Sequence, residues 1–259
     1  MIKNLPNESH LSSWEVAKPF HHLVIDDFLQ PDTYQEVCAE FPDFSSDVWY
    51  VYENPIEIKK AMNNWDRFGA KTYELFWLLN SRSFIQRLEK LTNCALFADF
   101  GLNGGGLHSH RSGGKLNTHL DYSIHPKLPL QRRLNLILYM TPDWREEWGG
   151  HLGFWSHDAR NGGPGDLVVS IPPLFNRAVL FDTTQNSWHG LPEPIRCPAH
   201  ITRNSIAVYY LCEPKSNAVK RSRALFAPYG DQAKDKQILE LIDRRADVRS
   251  SASAYITKT

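Results

Sequence analysis

Hydrophobic residues follow two different periods along the chain, and the period changes near residue 96. Before that point, the stretch FLQPDTYQEVCAEFP carries apolar side chains at positions i, i+3, i+4 and i+7, namely Tyr34, Val37, Cys38 and Phe41. This spacing places the four side chains on one face of a helix. Pro31 suits the first turn of that helix, because a first-turn residue needs no backbone N–H. The sequence therefore predicts an amphipathic helix that starts near Pro31.

Two further stretches before residue 96 also have helical character. SFIQRLEKLTN begins with Ser83 and Gln86 at capping-box spacing, and Phe84 and Leu88 lie on its apolar face. YELFWLLN is rich in large apolar residues and is predicted to form another buried helix. We expect residues 1–95 to be a mainly helical support that packs against a sheet.

From residue 96 onward the hydrophobic period is two, which is the period of a strand. Short β-branched or aromatic runs alternate with glycine-rich turns; the runs are LNLILYM, LVVSI, AVLFD and SIAVYYL, and the turns are NGGG, RSGG, EEWGG and NGGPG. Many short strands with few helices between them are typical of a sandwich, barrel or jelly roll. We therefore predict a mainly β core over residues 96–213.

Beyond the β core the chain becomes basic and then regains helical periodicity. In DQAKDKQILELIDRRADV, the side chains of Ile238, Leu241 and Ile242 fall on one face. This face could pack on the domain or form a homodimer contact, and both alternatives remain open. We predict that residues 1–259 form one domain, in which residues 214–259 are a C-terminal extension with a helix.

The composition limits the classes of partner. Lys and Arg number 29, and Asp and Glu also number 29, so the 259-residue chain has no net formal charge. This balance argues against nucleic acid or an anionic membrane as the main partner. The four cysteines include no CxxC pair, and no apolar run approaches the length of a membrane span. The N-terminal stretch lacks the apolar core of a signal peptide, so we expect a cytoplasmic protein.

The stretch KLNTHLDYSIH contains a candidate metal site. His119 and Asp121 are two residues apart, so in a strand both side chains point to the same side. His189 follows a strand-like run within VLFDTTQNSWHG, which would deliver a third group to a loop mouth. Two histidines and one carboxylate form the facial set of non-haem Fe(II) oxygenases. The same residue types also occur in zinc hydrolases and at polar strand edges.

Arg203 and Ser205 form a candidate anion site downstream of His189. They are two residues apart in a strand-like run, so their side chains share a side. Arginine offers a planar fork for a carboxylate and serine adds a hydroxyl donor, which suits one carboxylate of a dicarboxylic acid. Alternatively, Arg203 pairs with an Asp or Glu on a neighbouring strand. Arg196 is a second candidate for the same role.

Four motifs taken together, THLD, LILYMTPDWREEWGGHL, VLFDTTQNSWHG and RNSIAVYYL, resemble the Fe(II)- and 2-oxoglutarate-dependent oxygenase superfamily, most closely its prolyl-hydroxylase-like branch. The resemblance implies a double-stranded β-helix core, a jelly roll of the cupin-like type, with N-terminal helices packed on it. It also implies a dioxygenase that uses Fe(2+), 2-oxoglutarate and O2, and that releases succinate and CO2.

The resemblance also assigns roles to individual residues. His119, Asp121 and His189 would hold the iron. Arg203, helped by Ser205, would bind the C5 carboxylate of 2-oxoglutarate.

His110 lies where relatives often have a tyrosine near the co-substrate, so the resemblance makes it a candidate co-substrate residue. The implied reaction is hydroxylation of an unactivated C–H bond in a prolyl, amino-acid or other small-molecule substrate. The expected partner is therefore a small molecule or a peptide. A non-catalytic jelly-roll module that binds a metal or a sugar is the alternative function.

Overall fold

Two antiparallel β-sheets dominate residues 1–247, which are the residues that the computed structural model describes. Residues 248–259, the end of the predicted C-terminal extension, lie outside this range. In chain order the strands of the described part are β1 (His22–Ile25), β2 (Tyr50–Asn54), β3 (Glu57–Met62), β4 (Phe97–Ala98), β5 (Gly106–His110), β6 (Lys115–Leu116), β7 (His119–Leu120), β8 (Gln131–Tyr139), β9 (Leu152–Asp158), β10 (Gly163–Ile171), β11 (Ala178–Asp182), β12 (Trp188–Gly190), β13 (Arg203–Cys212) and β14 (Leu225–Phe226).

The two sheets differ in size and in strand order. The larger sheet runs β1–β11–β8–β13–β5–β3–β2, with β4 added beside β13 and β6 beside β3. The smaller sheet runs β10–β9–β12–β7–β14. Sequence neighbours are often not sheet neighbours, so the chain crosses repeatedly between the two sheets. The predicted mainly β architecture is confirmed.

Alternation along the central strands of the larger sheet separates its two faces, because successive side chains of a strand point to opposite sides. In β8, Leu134 and Leu136 belong to the cluster that packs against the helices. Asn135 and Ile137, which point to the opposite side of the strand, line an internal cavity. β13 follows the same rule, so one face of the sheet is apolar support and the other face is available for a site.

A second apolar cluster lies between the two sheets. It joins Phe154 of β9 to Phe181 of β11, whose ring centroids are 5.2 Å apart, and it includes Phe20 from the N-terminal segment. Aromatic side chains contribute large buried areas, and tilted ring pairs add a further specific attraction. This cluster packs strands of the larger sheet against strands of the smaller sheet.

Four helices supply residues to the apolar cluster on the outer face of the larger sheet, namely α1 (Leu11–Val16), α2 (Pro31–Ala39), α3 (Ala70–Leu79) and α4 (Arg82–Thr92). α2 begins at Pro31, as its sequence predicts. α3 is amphipathic rather than wholly buried, because Tyr73 and Trp77 remain exposed. Among residues 1–247, no helix combines the length and the apolar character required to cross a membrane.

The N-terminal cap of α4 differs from the sequence prediction. The Ser81 hydroxyl accepts a hydrogen bond from the Phe84 backbone N–H at 3.3 Å, and Ser81 has the extended backbone of a cap residue. The predicted cap, Ser83, lies inside the first turn. Both serines have suitable chemistry, and the end of the preceding helix decides which of them occupies the cap.

Residues 1–95 also contain three strands that their composition did not indicate. β1 pairs with β11, and β3 joins β2 to β5, so all three belong to the larger sheet. Their side chains show no clean alternation of apolar and polar residues. Pairing with neighbouring strands, rather than local pattern, therefore determines their conformation.

The C-terminal helix α5 (Lys236–Ala246) packs on the same chain. Its Leu241 and Ile242 side chains are buried in a cluster with Ile56 and Phe226. At its end, Arg245 binds the buried Glu57 of β3. The apolar face of the helix is thus covered by its own domain, and a homodimer contact through this helix stays a prediction.

Glu57→Gln is expected to reduce the free energy of unfolding by about 3–5 kcal/mol, because it removes a buried carboxylate from a buried guanidinium. Glu57 is 1% exposed and Arg245 is 7% exposed. Urea denaturation would measure the change. Glu240→Gln is the matched control, since Glu240 is an exposed residue of α5, the helix that carries Arg245. Its replacement should change the free energy of unfolding by less than about 0.5 kcal/mol. Equal effects of the two substitutions would contradict this account.

Candidate active site

Strand pairing brings His119, Asp121 and His189 together. His119 of β7 lies directly opposite His189 of β12, so two residues far apart in the chain become cross-strand neighbours. Asp121 follows His119 by two residues, just past the end of β7. One ligand atom from each of the three residues lies within 4.8 Å of the other two. The Nε2 atom of His119 is 3.7 Å from Oδ1 of Asp121, and the Nε2 atom of His189 is 3.3 Å from Oδ2.

Backbone carbonyl groups orient both imidazoles. Nδ1 of His119 lies 2.9 Å from the Asn117 oxygen, and Nδ1 of His189 lies 2.8 Å from the Ser187 oxygen. A carbonyl oxygen can only accept, so each Nδ1 carries a hydrogen, and each Nε2 faces the shared centre. Burial, reinforced by the nearby His119, lowers the pKa of His189 to about 3, so that imidazole is a neutral donor.

Asp121 is held as an anion by groups behind it. Its Oδ2 atom accepts a hydrogen bond from the Asn135 side chain at 2.8 Å and lies 3.2 Å from the guanidinium of Arg132. Burial alone would raise the pKa of Asp121, but the charge of Arg132 and the two neighbouring histidines hold this pKa well below its usual range. The cluster therefore offers two imidazole nitrogens and one carboxylate, the donor set that suits Fe(II).

A glycine allows the close approach of the two ligand-bearing strands. A Cβ atom at Gly190 would lie 2.8 Å from the Leu116 oxygen and 2.9 Å from the Asn117 oxygen. Any larger residue would therefore push β12 away from β7 at the position next to His189. The sequence WHG thus combines a ligand with the space that its strand needs.

A cavity of about 740 Å³ opens beside the three residues and is lined by Arg203, Ser205 and His110. Arg203 is 4% exposed, and among residues 1–247 it forms no ion pair with a carboxylate. The alternative interpretation, in which Arg203 pairs with an Asp or Glu of a neighbouring strand, is therefore wrong for the described part of the chain. Arg196 instead lies at the surface, 3.3 Å from Glu193, with 73% of its side chain exposed.

Two contacts fix the position of the Arg203 guanidinium. Nε donates a hydrogen bond to the Gly150 oxygen at 2.7 Å, and the guanidinium lies 4.8 Å from the ring centre of Tyr139. Gly150 has a φ of +69°, and a Cβ atom there would come within 2.9 Å of the Arg203 side chain. Gly150 of the EEWGG turn therefore determines the position of the arginine side chain, a role that its sequence did not reveal.

His110 lies next to Arg203 on the neighbouring strand β5, and His108 lies next to Ser205. Both histidines line the cavity. Within residues 1–247, neither ring nitrogen of the buried His110 has a hydrogen-bond partner. Burial, followed by the charge of Arg203, lowers the pKa of His110 well below its ordinary value. A neutral imidazole there can donate to or accept from a bound molecule.

Other histidines of the sequence lie away from this cluster. His125 turns away, as expected, and its Nε2 atom is 3.6 Å from Asp99. His151 contacts the Ser170 hydroxyl at 3.0 Å, and His157 accepts a hydrogen bond from the Trp188 indole at 3.1 Å. None of these three is among the cavity-lining residues.

Arg132 contacts the candidate metal cluster, and sequence reasoning missed it. In strict alternation it would share the helix-facing side of β8 with Leu134. The pairing of β8 with β13 shifts by one residue between these positions, since Leu134 pairs with Tyr210 but Arg132 pairs with Leu211. This irregularity turns Arg132 toward Asp121. Its guanidinium lies 3.3 Å from the ring centre of Tyr209, which fixes its plane.

The family model described as the 2OG-Fe(II) oxygenase superfamily matches residues 105–211, the segment that carries all six predicted site residues. The prolyl 3-hydroxylase OGFOD1 of Xenopus laevis is 39% identical over 181 residues, which are 68% of this chain and 32% of that protein. This chain belongs to the 2OG-Fe(II) oxygenase superfamily. It spans about a third of the length of this curated relative. Family membership and the His–Asp–His cluster together indicate Fe(II) and 2-oxoglutarate as its cofactor and co-substrate.

Solved structures show the same fold as this oxygenase. A Trichoplax adhaerens prolyl hydroxylase, in complex with a peptide fragment of the hypoxia inducible factor oxygen degradation domain, has a TM-score of 0.55 and 18% identity, covering 79% of this chain and 87% of that one. A Pseudomonas putida prolyl-4-hydroxylase has a TM-score of 0.52 and 15% identity, covering 80% and 97%. These likenesses concern the fold, and they confirm the predicted jelly-roll core with flanking helices.

Proposed function

We propose that this oxygenase hydroxylates an unactivated C–H bond of a prolyl residue in a peptide, with 2-oxoglutarate as co-substrate and with release of succinate and CO2. The observation that carries the proposal is the His119–Asp121–His189 cluster, whose ligand atoms lie within 4.8 Å of one another beside a cavity that contains Arg203. The prolyl 3-hydroxylase name of the Xenopus relative supports the substrate class, as does the peptide bound to the Trichoplax enzyme.

His119, Asp121 and His189 would hold Fe(II) through two imidazole nitrogens and one carboxylate. The buried, carbonyl-oriented imidazoles and the anionic Asp121 fit this role. Bound Fe(II), with 2-oxoglutarate and dioxygen, would supply the oxidising chemistry. Arg132 and Asn135 would keep the Asp121 carboxylate charged and correctly turned.

Arg203 would bind the distal carboxylate of 2-oxoglutarate. Its guanidinium is preformed by Gly150 and Tyr139, so little rotational freedom is lost on binding. Ser205 lies two residues along β13 and lines the same cavity, where its hydroxyl could add a hydrogen bond. His110, the cross-strand neighbour of Arg203, would contact the co-substrate or the water beside it. Together these groups would orient the keto acid and restrict solvent near the metal.

Several other features stay predictions from the sequence. These are the single domain over residues 1–259, the cytoplasmic location and the lack of a nucleic-acid or membrane partner. The whole protein's substrate and partners are likewise proposals, because the match covers only part of the curated relative.

Anaerobic addition of Fe(II) and 2-oxoglutarate to the apoprotein is expected to produce a weak visible charge-transfer absorption, because the keto acid would chelate the metal. Succinate, which lacks the keto group, is the control and should produce no band. The apoprotein and its metal content would be measured in the same samples. Bound iron without any band would contradict the proposed function and favour a non-catalytic metal-binding module.

A further inference from the structure

A segment outside the matched family region runs directly along the metal cluster. Residues 221–226 follow the matched residues 105–211, yet the Arg221 Nε atom donates a hydrogen bond to the Asp121 backbone oxygen at 2.9 Å. The Ser123 backbone N–H donates in turn to the Arg221 oxygen at 2.7 Å. These contacts anchor the start of the segment beside one candidate ligand.

The end of the same segment is anchored beside a second candidate ligand. Phe226 of β14 pairs in register with His119, and the two rings stack with centroids 5.0 Å apart. The cluster of Phe226 with Leu241 and Ile242 then ties the segment to α5. Residues 222–224, between the two anchors, are thereby held against the cavity, which they line.

Arg223 is the charged residue of this held stretch. It is half-buried and lines the cavity, and within residues 1–247 its buried Nε atom has no hydrogen-bond partner. Nearly all buried donors in folded proteins are paired with protein or water. The unpaired arginine donor in this cavity wall is therefore available to a group of a bound ligand.

The charged side chains that line the cavity indicate the charge of the ligand group that Arg223 would bind. Lys59, Arg223 and Arg245 share the cavity lining with Glu57, the carboxylate that Arg245 binds and that lies 3.5 Å from Lys59. Among residues 1–247, this part of the wall therefore carries three cations and one carboxylate. Fe(II) and 2-oxoglutarate together add no net charge, and Arg203 would be used by the co-substrate. The remaining positive charge in a partly dehydrated cavity favours an anionic substrate.

We propose that Arg223 binds a carboxylate of the substrate, so that the site takes a prolyl peptide with an acidic residue next to the target proline. This inference rests on the proposed function, which supplies the prolyl substrate. It places substrate selection in residues 221–226, outside the matched oxygenase region. Arginine suits the role, because its planar fork can bind both oxygens of a carboxylate.

Three peptides test this inference by calorimetric titration into anaerobic protein loaded with Fe(II) and 2-oxoglutarate. The first two are capped at both ends and carry Pro-Glu or Pro-Gln. The third carries Gln before a C-terminal proline with a free carboxylate, which distinguishes a side-chain carboxylate from a main-chain one. We expect the Pro-Glu peptide to bind about tenfold more tightly than Pro-Gln, corresponding to about 1.4 kcal/mol.

Arg223→Gln should abolish this tenfold preference, and Arg223→Lys should retain part of it. Arg196→Gln is the matched control, because Arg196 is exposed and pairs with Glu193 outside the cavity. The Arg196→Gln variant should bind Pro-Glu more tightly than Pro-Gln by the same factor as the wild type. The charge-transfer absorption with 2-oxoglutarate, measured on each variant, shows that the site is folded and loaded.

Equal affinity of the wild type for the Pro-Glu and Pro-Gln peptides would overturn the inference. So would an unchanged preference in Arg223→Gln, or a lack of binding by every peptide. A stronger effect of the free C-terminal carboxylate would overturn the assignment to an acidic side chain. If the 2-oxoglutarate absorption persists while the Pro-Glu preference is absent or unaffected by Arg223→Gln, the proposed function stands and only the role of Arg223 fails. If the absorption persists but no peptide binds, the prolyl-peptide substrate of the proposed function fails as well. If that absorption is absent although iron is bound, the proposed function itself fails.

Discussion

Asp121→Asn is expected to lower the affinity for Fe(II) by more than about 100-fold and to abolish the charge-transfer absorption with 2-oxoglutarate. Loss of groups that merely orient a metal ligand already reduces affinity by about 10- to 100-fold, and this substitution removes the anionic ligand itself. Asparagine keeps the shape of the side chain but not its charge. Competition with a chromophoric chelator under anaerobic conditions would measure the affinity.

The same substitution should also destabilise the apoprotein, by about 3 kcal/mol, because it removes the carboxylate that neutralises Arg132. Arg132 is 2% exposed and cannot turn into solvent without disrupting β8. His189→Ala is the matched comparison. This substitution removes a ligand that is neutral in the apoprotein. It should therefore lower the affinity for Fe(II) without leaving an uncompensated charge in the apoprotein.

The double variant Asp121→Asn/Arg132→Met separates the two effects. It should recover part of the apoprotein stability, since methionine brings no charge into the site, while metal affinity remains low. Urea denaturation of the apoproteins and chelator competition would be run on the same set of variants. Wild-type iron affinity in Asp121→Asn would contradict the proposed ligand set.

Alternation made much of the site predictable from the sequence. In β13, a period of two assigns Arg203 and Ser205 to one side, and the structure has both residues in the cavity lining. The same argument puts His119 and Asp121 on a common side. The position of a residue along its strand is sufficient for this prediction, because the pleat determines the side to which each residue points. The pairing of His189 with His119 required the family resemblance, since no local pattern specifies which strands become neighbours.

The residues that escaped prediction depend on irregular or long-range features. Arg132 reaches Asp121 only through a one-residue shift in strand pairing, and Gly150 acts through a turn that touches Arg203. Neither feature has a period that a sequence could display. Arg223 reaches the cavity because β14 adds to the edge of the smaller sheet, and a two-residue strand is too short to give a pattern. Residues that reach a site through such features can be identified only from the three-dimensional structure.

Arg203→Lys is expected to weaken 2-oxoglutarate binding by about 10- to 100-fold while leaving Fe(II) affinity unchanged. A lysine ammonium keeps the charge but cannot form two parallel hydrogen bonds to one carboxylate. It also lacks the Nε atom that donates to Gly150 and the plane that lies against Tyr139. One lost charge-assisted hydrogen bond corresponds to about 1.5–3 kcal/mol, which is the basis of the expected range.

Titration of 2-oxoglutarate against the charge-transfer absorption measures this affinity directly, and saturation at high concentration would show that the metal site remains intact. Arg196→Lys controls for the substitution, because that arginine is exposed beside Glu193. Unchanged affinity in Arg203→Lys would move the carboxylate site elsewhere in the cavity. Arg132 already binds Asp121, and Arg223 and Arg245 lie on the wall that contains Glu57, so the cavity offers no equivalent preformed arginine among residues 1–247. The position of the distal carboxylate therefore depends on Arg203 more than on any other cation of the described site.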